Sequence, residues 1–193
     1  KETKDQIWRL IISQKITNQK IFLQKRGFAA EAELIGSYIP DILPGDITNR
    51  EGHSAKVYFN CLMPNGVSRR DGGFLNGCLN YGYAVLLSCF NREIVASGYL
   101  TQFGIWHDNE FNQFNLSSDL MEPFRTIVDE VAFSLPDGDK EFKRKMADIL
   151  NLQISIDGKT TTLDLAVRTY VRSVLNALEA SDPSLIIFPS YEL

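Results

Sequence analysis

Two stretches of the chain carry side chains whose types and spacing could do chemistry. The first is Glu51-Gly52-His53-Ser54-Ala55-Lys56-Val57-Tyr58. The second starts at His107 and ends in Ser118-Asp119-Leu120-Met121-Glu122-Pro123-Phe124-Arg125. Each sets carboxylates among apolar neighbours and beside basic groups, in a sequence with 2 histidines. A buried carboxylate is unfavourable unless it is paired, hydrogen-bonded or bound to a cation. If Glu51, His107 and Glu122 converge, two carboxylates and a neutral imidazole form a donor set for Mg²⁺ or Mn²⁺. Such an ion lowers the pKa of a bound water or hydroxyl and neutralises charge developing on phosphorus. The pattern therefore points towards phosphodiester chemistry. Spacing alone does not require the convergence.

Each candidate also has a simpler reading. Thr48 lies three residues before Glu51, the spacing of a T-x-x-E capping box in which Glu51 only satisfies a helix terminus. Asp119 precedes Glu122 by three residues and shares its face on a helical turn. It is a second metal ligand, a partner behind the ligands, or the N-cap of the next helix. His53 is two residues from Glu51, points off that face and reads as a surface or packing histidine. Lys56 and Arg125 suit a phosphate or an acidic neighbour. The pair Arg69-Arg70 sits in a glycine-containing loop that is not a phosphate-binding loop, because no strand precedes it. Tyr81 and Tyr83 read as core residues with satisfied hydroxyls. No G-x-S-x-G and no cysteine or serine with an obvious base is present.

Helices must position these groups. Apolar residues at Ile7, Leu10, Ile11, Ile16 and Phe22 predict an amphipathic helix over 5–26 with Gly27 at its exit. A second helical stretch runs from Ala29 to Leu43, ended by Pro44-Gly45-Asp46. A third starts at Thr48 and reaches about Leu62, stopping at Pro64-Asn65-Gly66. Residues 65–73 form a loop. Phe74 to Ser97 gives the longest and most apolar helix, whose small residues suggest a central place. Gly98 to Asn115 is an irregular aromatic segment holding His107, and long loops in compact domains tend to be functional. Helical period resumes from Asp119 to Leu135. Pro123 either starts that helix or distorts its first turn. Lys140 to Leu150 is a charged helix. Asp157-Gly158 between Gln153–Ile156 and Lys159–Thr162 predicts a hairpin. Leu163 to Ala180 is a last amphipathic helix. The fold class is mainly α, a multi-helix domain over 1–182 with one short β-hairpin near 153–162 and a tail over 183–193.

With 193 residues, 44% of them hydrophobic and 23% charged, the chain suits one soluble domain, or one plus a small appendage. It lacks an apolar run of membrane-span length and a secretory signal. It opens at Lys1 in a helical pattern, as a fragment or cleavage product would. Cys61, Cys78 and Cys89 lack metal-site spacing and read as small core residues in a reducing compartment. The net charge of −4 and pI near 5.2 argue mildly against nucleic acid. Locally, however, Arg50, Lys56, Arg69, Arg70, Arg92 and Arg125 crowd the middle of the chain around the carboxylates.

Three segments carry a resemblance to a known family. Glu51-Gly52-His53-Ser54-Ala55-Lys56-Val57-Tyr58-Phe59-Asn60, Asn80-Tyr81-Gly82-Tyr83-Ala84, and His107 with Asn109, Phe111, Asn112, Phe114 and Asp119 to Arg125 resemble the CRISPR-associated integrase. That protein is the large catalytic subunit of the spacer-acquisition complex, and the match is closest to its type II branch. The likeness covers most of the chain. It implies an all-helical catalytic domain with Glu51, His107 and Glu122 as catalytic metal-site residues, Asp119 as an auxiliary acid at the metal, and Mg²⁺ or Mn²⁺ as cofactor. DNA-binding residues would be Arg50, Lys56, Arg69, Arg70 and Arg125. The implied reaction joins 3′-hydroxyl ends of a short DNA fragment to the CRISPR repeat by transesterification. The implied partners are prespacer and repeat DNA, a second copy of the chain, a small ferredoxin-like adaptation subunit and other type II CRISPR proteins, in a prokaryotic cytoplasm. The resembled family also carries a β-rich N-terminal domain, which the resemblance leads us to expect is absent from this chain. The competing reading is a non-catalytic helical module that holds partner subunits.

Overall fold

The computed structural model describes residues 1–63 and 66–190. The turn expected at Pro64-Asn65 and the end of the tail, residues 191–193, lie outside the described residues. The first helix, α1 (Glu2–Lys25), has Glu2 and Asp5 in its first turn and Lys25 in its last, the charge order that suits a helix dipole. One face buries Ile7, Ile11, Ile12, Ile16, Phe22 and Leu23, and the same face also buries Lys15, Asn18 and Gln19. Polar residues inside an apolar stripe require partners, and these three sit where the next elements arrive.

Helix α2 (Ala29–Gly36) is shorter than its sequence pattern suggests. Pro40 cannot donate to a helical ladder, so Ile39–Asp41 tightens into a 3₁₀ turn and a second one follows at Pro44–Asp46. Helix α3 (Arg50–Leu62) then begins one residue later than a cap at Thr48 would place it. The cap is Asn49 in a left-handed conformation, its side chain accepting from the Gly52 amide at 3.2 Å. Asp46 accepts from the Arg50 and Glu51 amides at 2.8 and 2.9 Å. Thr48 instead donates its hydroxyl to the Asp41 carbonyl at 3.4 Å. The capping-box expectation is therefore corrected: these other side chains satisfy the helix terminus, and the Glu51 carboxylate is free to point elsewhere.

Helix α4 (Phe74–Ala96) crosses the middle of the domain as expected, though with 23 residues it is one shorter than α1 with 24. A Cβ added at Gly82 would stand 2.5 Å from Val128 and 2.9 Å from Met146, so only a bare backbone allows this approach. Val128 belongs to α6 (Arg125–Ser134) and Met146 to α7 (Phe142–Ala147). Between α4 and α6 lie the irregular 97–114 segment, the short α5 (Asn115–Leu120) and a 3₁₀ turn at Glu122–Phe124. Pro123 thus breaks the helical run into three pieces, with α6 starting two residues beyond it.

Strands β1 (Gln153–Ile156) and β2 (Lys159–Thr162) pair antiparallel with Ile156 opposite Lys159. Asp157 and Gly158 both take positive φ, 52° and 70°, which the two-residue turn requires. Helix α8 (Leu163–Ala180) buries Val167, Tyr170, Val171 and Val174 against α4 and β1. The tail docks as far as it is described, Ser190 bridging Ser155 at 2.8 and 3.1 Å and Phe188 meeting Tyr170 at 5.6 Å between ring centroids. The fold class is as the sequence suggests: mainly α with a single hairpin at 153–162. Among the described residues, no helix is long and apolar enough to cross a membrane.

Candidate functional site

Lys15 is the centre of the site. It projects from the buried face of α1, with 7% of its side chain exposed, and its ammonium pairs with Glu51 Oε1 and with Glu122 Oε2, the latter at 2.5 Å. Glu51 comes from the first turn of α3 and Glu122 from the 3₁₀ turn before α6. Glu122 is also 7% exposed, and its Oε1 accepts from Arg125 Nε at 2.9 Å. Its Oε2 meets the ammonium at ion-pair distance without hydrogen-bond geometry. Burial pushes the Glu122 carboxyl up, but Arg125 and Lys15 outweigh that and hold it down at about 2. Burial likewise lowers the Lys15 pKa, and the two glutamates more than reverse it.

His107 arrives from the aromatic segment. Asp119, with no exposed surface, accepts from the Ile105, Trp106 and His107 amides at 2.6, 2.9 and 3.2 Å and pairs with His107 Nδ1. It lies inside α5 and caps neither neighbouring helix, because Phe114 and Phe124 occupy those positions. Gly104 explains the tight wrap, since a Cβ there would come within 2.3 Å of the His107 carbonyl and 2.7 Å of Asp119. The imidazole edge packs on Trp8, which stacks on Trp106 at 5.8 Å. The hydrogen bond to Asp119 raises the His107 pKa against the effect of burial, and the charges of Glu122 and Glu51 act in the same direction.

Glu51, Glu122, Lys15 and Arg125 line a cavity of about 260 Å³ together with Arg69, Tyr83, Phe59 and Asp129. Of the five basic residues expected to meet DNA, Arg69 and Arg125 face this cavity. Lys56 and Arg70 are exposed elsewhere on α3 and the 66–73 loop. Arg50 is held by Asp41 at 3.3 Å and over the Tyr38 ring. His53 is exposed. Cys78 and Cys89 are buried, Cys61 is half-buried, and all three are unbridged. Sequence reasoning missed Lys15, whose signal was its place four residues after Ile11 on an apolar face. Tyr83 has the satisfied hydroxyl expected of it, donated to Asp129, whereas Tyr81 is exposed and is not a core residue.

Among the described residues, no three His, Cys, Asp or Glu side chains stand close enough to hold a metal as they are. The donor set nevertheless fits a divalent ion. Two carboxylates from separate elements already share one cation, and the Lys15 ammonium is the stand-in. Hard oxygen donors around a compact charge suit Mg²⁺ or Mn²⁺.

Comparison with known proteins bears on this geometry. The family model described as "CRISPR associated protein Cas1" matches residues 1–160. The chain belongs to the Cas1 family. A CRISPR-associated endonuclease Cas1 of Neisseria meningitidis serogroup C is 29% identical over 202 aligned residues, which cover 98% of this chain and 66% of that relative. The chain therefore spans just under two thirds of that Cas1. A casposase bound to integration product has the same fold, with a TM-score of 0.78 at 23% identity over 98% of this chain and 68% of its own. So does a Cas6-RT-Cas1–Cas2 complex, at 0.75 and 18% identity over 95% of this chain and 25% of the other.

Proposed function

We propose that this chain is the catalytic domain of a Cas1 integrase and endonuclease, which joins 3′-hydroxyl ends of short DNA fragments to a CRISPR repeat. The observation that carries the reading is the convergence of Glu51 and Glu122 on one buried cation position, in a cavity walled by Arg69 and Arg125. Membership of the Cas1 family supports it, as does the fold shared with a casposase bound to integration product.

Glu51, Glu122 and His107 would hold Mg²⁺ or Mn²⁺, with the Lys15 ammonium giving up its place. When bound, the ion polarises the phosphodiester and stabilises the attacking hydroxyl as its anion. The chain's own residues do the rest. Arg125 orients Glu122 through its Nε–H. Arg69 is charged and, among the described residues, has no carboxylate partner, so it is available to a DNA phosphate. Asp119 fixes the His107 ring by taking Nδ1–H, which leaves Nε2 as the donor atom for a cation. The chain supplies no covalent nucleophile; the substrate hydroxyl attacks. The partners are DNA, a second copy of the chain and a Cas2-type small subunit, the last suggested by the Cas1–Cas2 assembly sharing this fold.

The test is strand joining and nicking by the protein with its small partner subunit and DNA. Activity should require Mg²⁺ or Mn²⁺, and Glu122→Gln or His107→Ala should lower it at least about 1,000-fold when assayed at a temperature where circular dichroism shows each variant folded. Retained activity in either variant refutes the assignment. If Mn²⁺ leaves the melting temperature of the wild type unmoved, the helical-module reading takes its place.

A further inference from the structure

Tyr83 on α4 holds two guanidiniums over its ring. The Arg125 Cζ lies 4.8 Å from the centroid and the Arg69 Cζ 5.6 Å. Its hydroxyl donates to Asp129 Oδ1, and the Tyr58 hydroxyl donates to Asp129 Oδ2 at 2.8 Å. Asp129 is on α6, one turn beyond Arg125, and 1% exposed. It has no salt bridge among the described residues. Burial raises its pKa to about 6, against the two phenol hydrogen bonds and the nearby arginines that lower it. A carboxylate in that setting weakens the fold compared with an apolar residue. Its position, not its contribution to stability, accounts for it.

The two arginines at the far end of this arrangement do different things. Arg125 Nε holds Glu122, while Arg69 is steered by Asn76 and by Asn80 at 3.0 Å and meets no carboxylate. A guanidinium resting on a fixed aromatic face loses fewer rotamers when it forms its outward hydrogen bonds. A ring free to turn would give no such direction. We infer that Asp129 and Tyr58 anchor Tyr83 as a rigid platform that aims Arg125 at Glu122 and Arg69 at the incoming DNA phosphate. Asp129 and Tyr83 are thus positioning residues for strand joining. This rests on the DNA reading of the cavity, so its test needs one arm independent of DNA.

In the full protein with its partner subunit, Tyr83→Leu removes the ring under Arg125 and one of the two rings under Arg69, which also lies 5.5 Å from the Phe59 centroid. It should lower kcat about 100-fold and raise KM for DNA about 10-fold. Tyr83→Phe keeps the ring and loses its anchor, and Asp129→Asn weakens that anchor. Each should lower kcat about 10-fold and leave KM within about 2-fold. Arg69→Ala should move KM alone. A purely structural Tyr83 would lower the melting temperature without this division between kcat and KM. The independent arm is NMR of the Arg125 Nε–H. It should exchange slowly with solvent in the wild type and rapidly in Tyr83→Leu. Wild-type kcat and KM in Tyr83→Leu overturn the inference, and so does an unchanged Arg125 signal. An inactive wild type sinks the DNA reading, and the NMR result still decides the platform.

Discussion

Among the described residues, two glutamates are almost fully buried, and each is held by two basic side chains. Glu122 pairs with Lys15 and Arg125, and Glu93 on α4 pairs with Arg92 and Arg168 at 3.1 and 3.0 Å. The similarity ends at the cations. Arg92 and Arg168 are 52% and 44% exposed, whereas Lys15 is 7% and Arg125 30%. Around Glu93 the positive charge is solvated and the group is an edge of the surface, even though Arg92 is also shared with a second acid, the partly exposed Asp164. Around Glu122 the cations are themselves withdrawn from water, a second carboxylate joins, and the group opens onto a cavity. A buried acid is therefore weak evidence of a site. A buried acid whose counter-ion is also buried, and shared with another acid, is much stronger.

The sharpest way to break this contrast is Lys15→Met. Met fills much of the lysine's volume on the apolar face of α1 but leaves Glu51 and Glu122 without their shared charge. Removing one partner of a buried pair costs about 3 kcal/mol or more, so urea unfolding without metal should show a loss of that order. The same variant vacates the position a divalent ion would take. Mn²⁺ should then raise its melting temperature by more than it raises that of the wild type. A Lys15→Met protein as stable as the parent and indifferent to Mn²⁺ would leave the two glutamates equivalent.

How much of this was readable before the fold is itself instructive. Glu51, His107 and Glu122 stood out because each sat beside basic residues in an apolar context, and the loop around His107 stood out by length and aromatic content. The mainly α class followed from periodicity, and the hairpin from Asp157-Gly158. Lys15 was hidden because a lysine on an apolar stripe looks like an interruption, and its two partners lie in other elements. Asp129 was hidden because an acid in an amphipathic helix reads as solvated. Its partners Tyr58 and Tyr83 come from α3 and α4. The cap of α3 was misread because Asp46 reaches in from a preceding turn and Asn49 adopts a left-handed conformation, neither of which a local pattern encodes. Local motifs report residues that act within a few positions of themselves; tertiary pairs stay silent until the helices are packed.

A smaller effect is expected at Asp129, another buried acid, which hydrogen-bonds phenols and forms no salt bridge among the described residues. Its folded pKa of about 6 lies above the ordinary 3.8. The stability contributed by the protonated form is thus fully present below pH 3.8 and lost as the pH rises through about 6. Relative to Asp129→Asn, which cannot ionise, the wild type should lose about 2 to 3 kcal/mol across that window in urea unfolding. A difference that stays flat with pH would mean that the carboxylate is better compensated than its contacts indicate, and that it resembles Glu122 after all.

The smallest effect belongs to Arg168→Met. Arg168 Nε donates to Glu93 Oε2, yet nearly half of the arginine side chain is in water and Arg92 remains on the other oxygen. Exposed pairs gain little over their hydrated components, and salt screens what they gain. Arg168→Met should therefore shift the melting temperature far less than Lys15→Met, and the shift should shrink further as salt is raised. It should also leave the response to Mn²⁺ at the wild-type level, because Arg92 still holds both Glu93 and Asp164 and no cation position is vacated. A loss as large as that of Lys15→Met, and insensitive to salt, would show Glu93 to be as dependent on its cation as Glu122. Exposure of the counter-ion would then no longer separate a structural pair from a functional one.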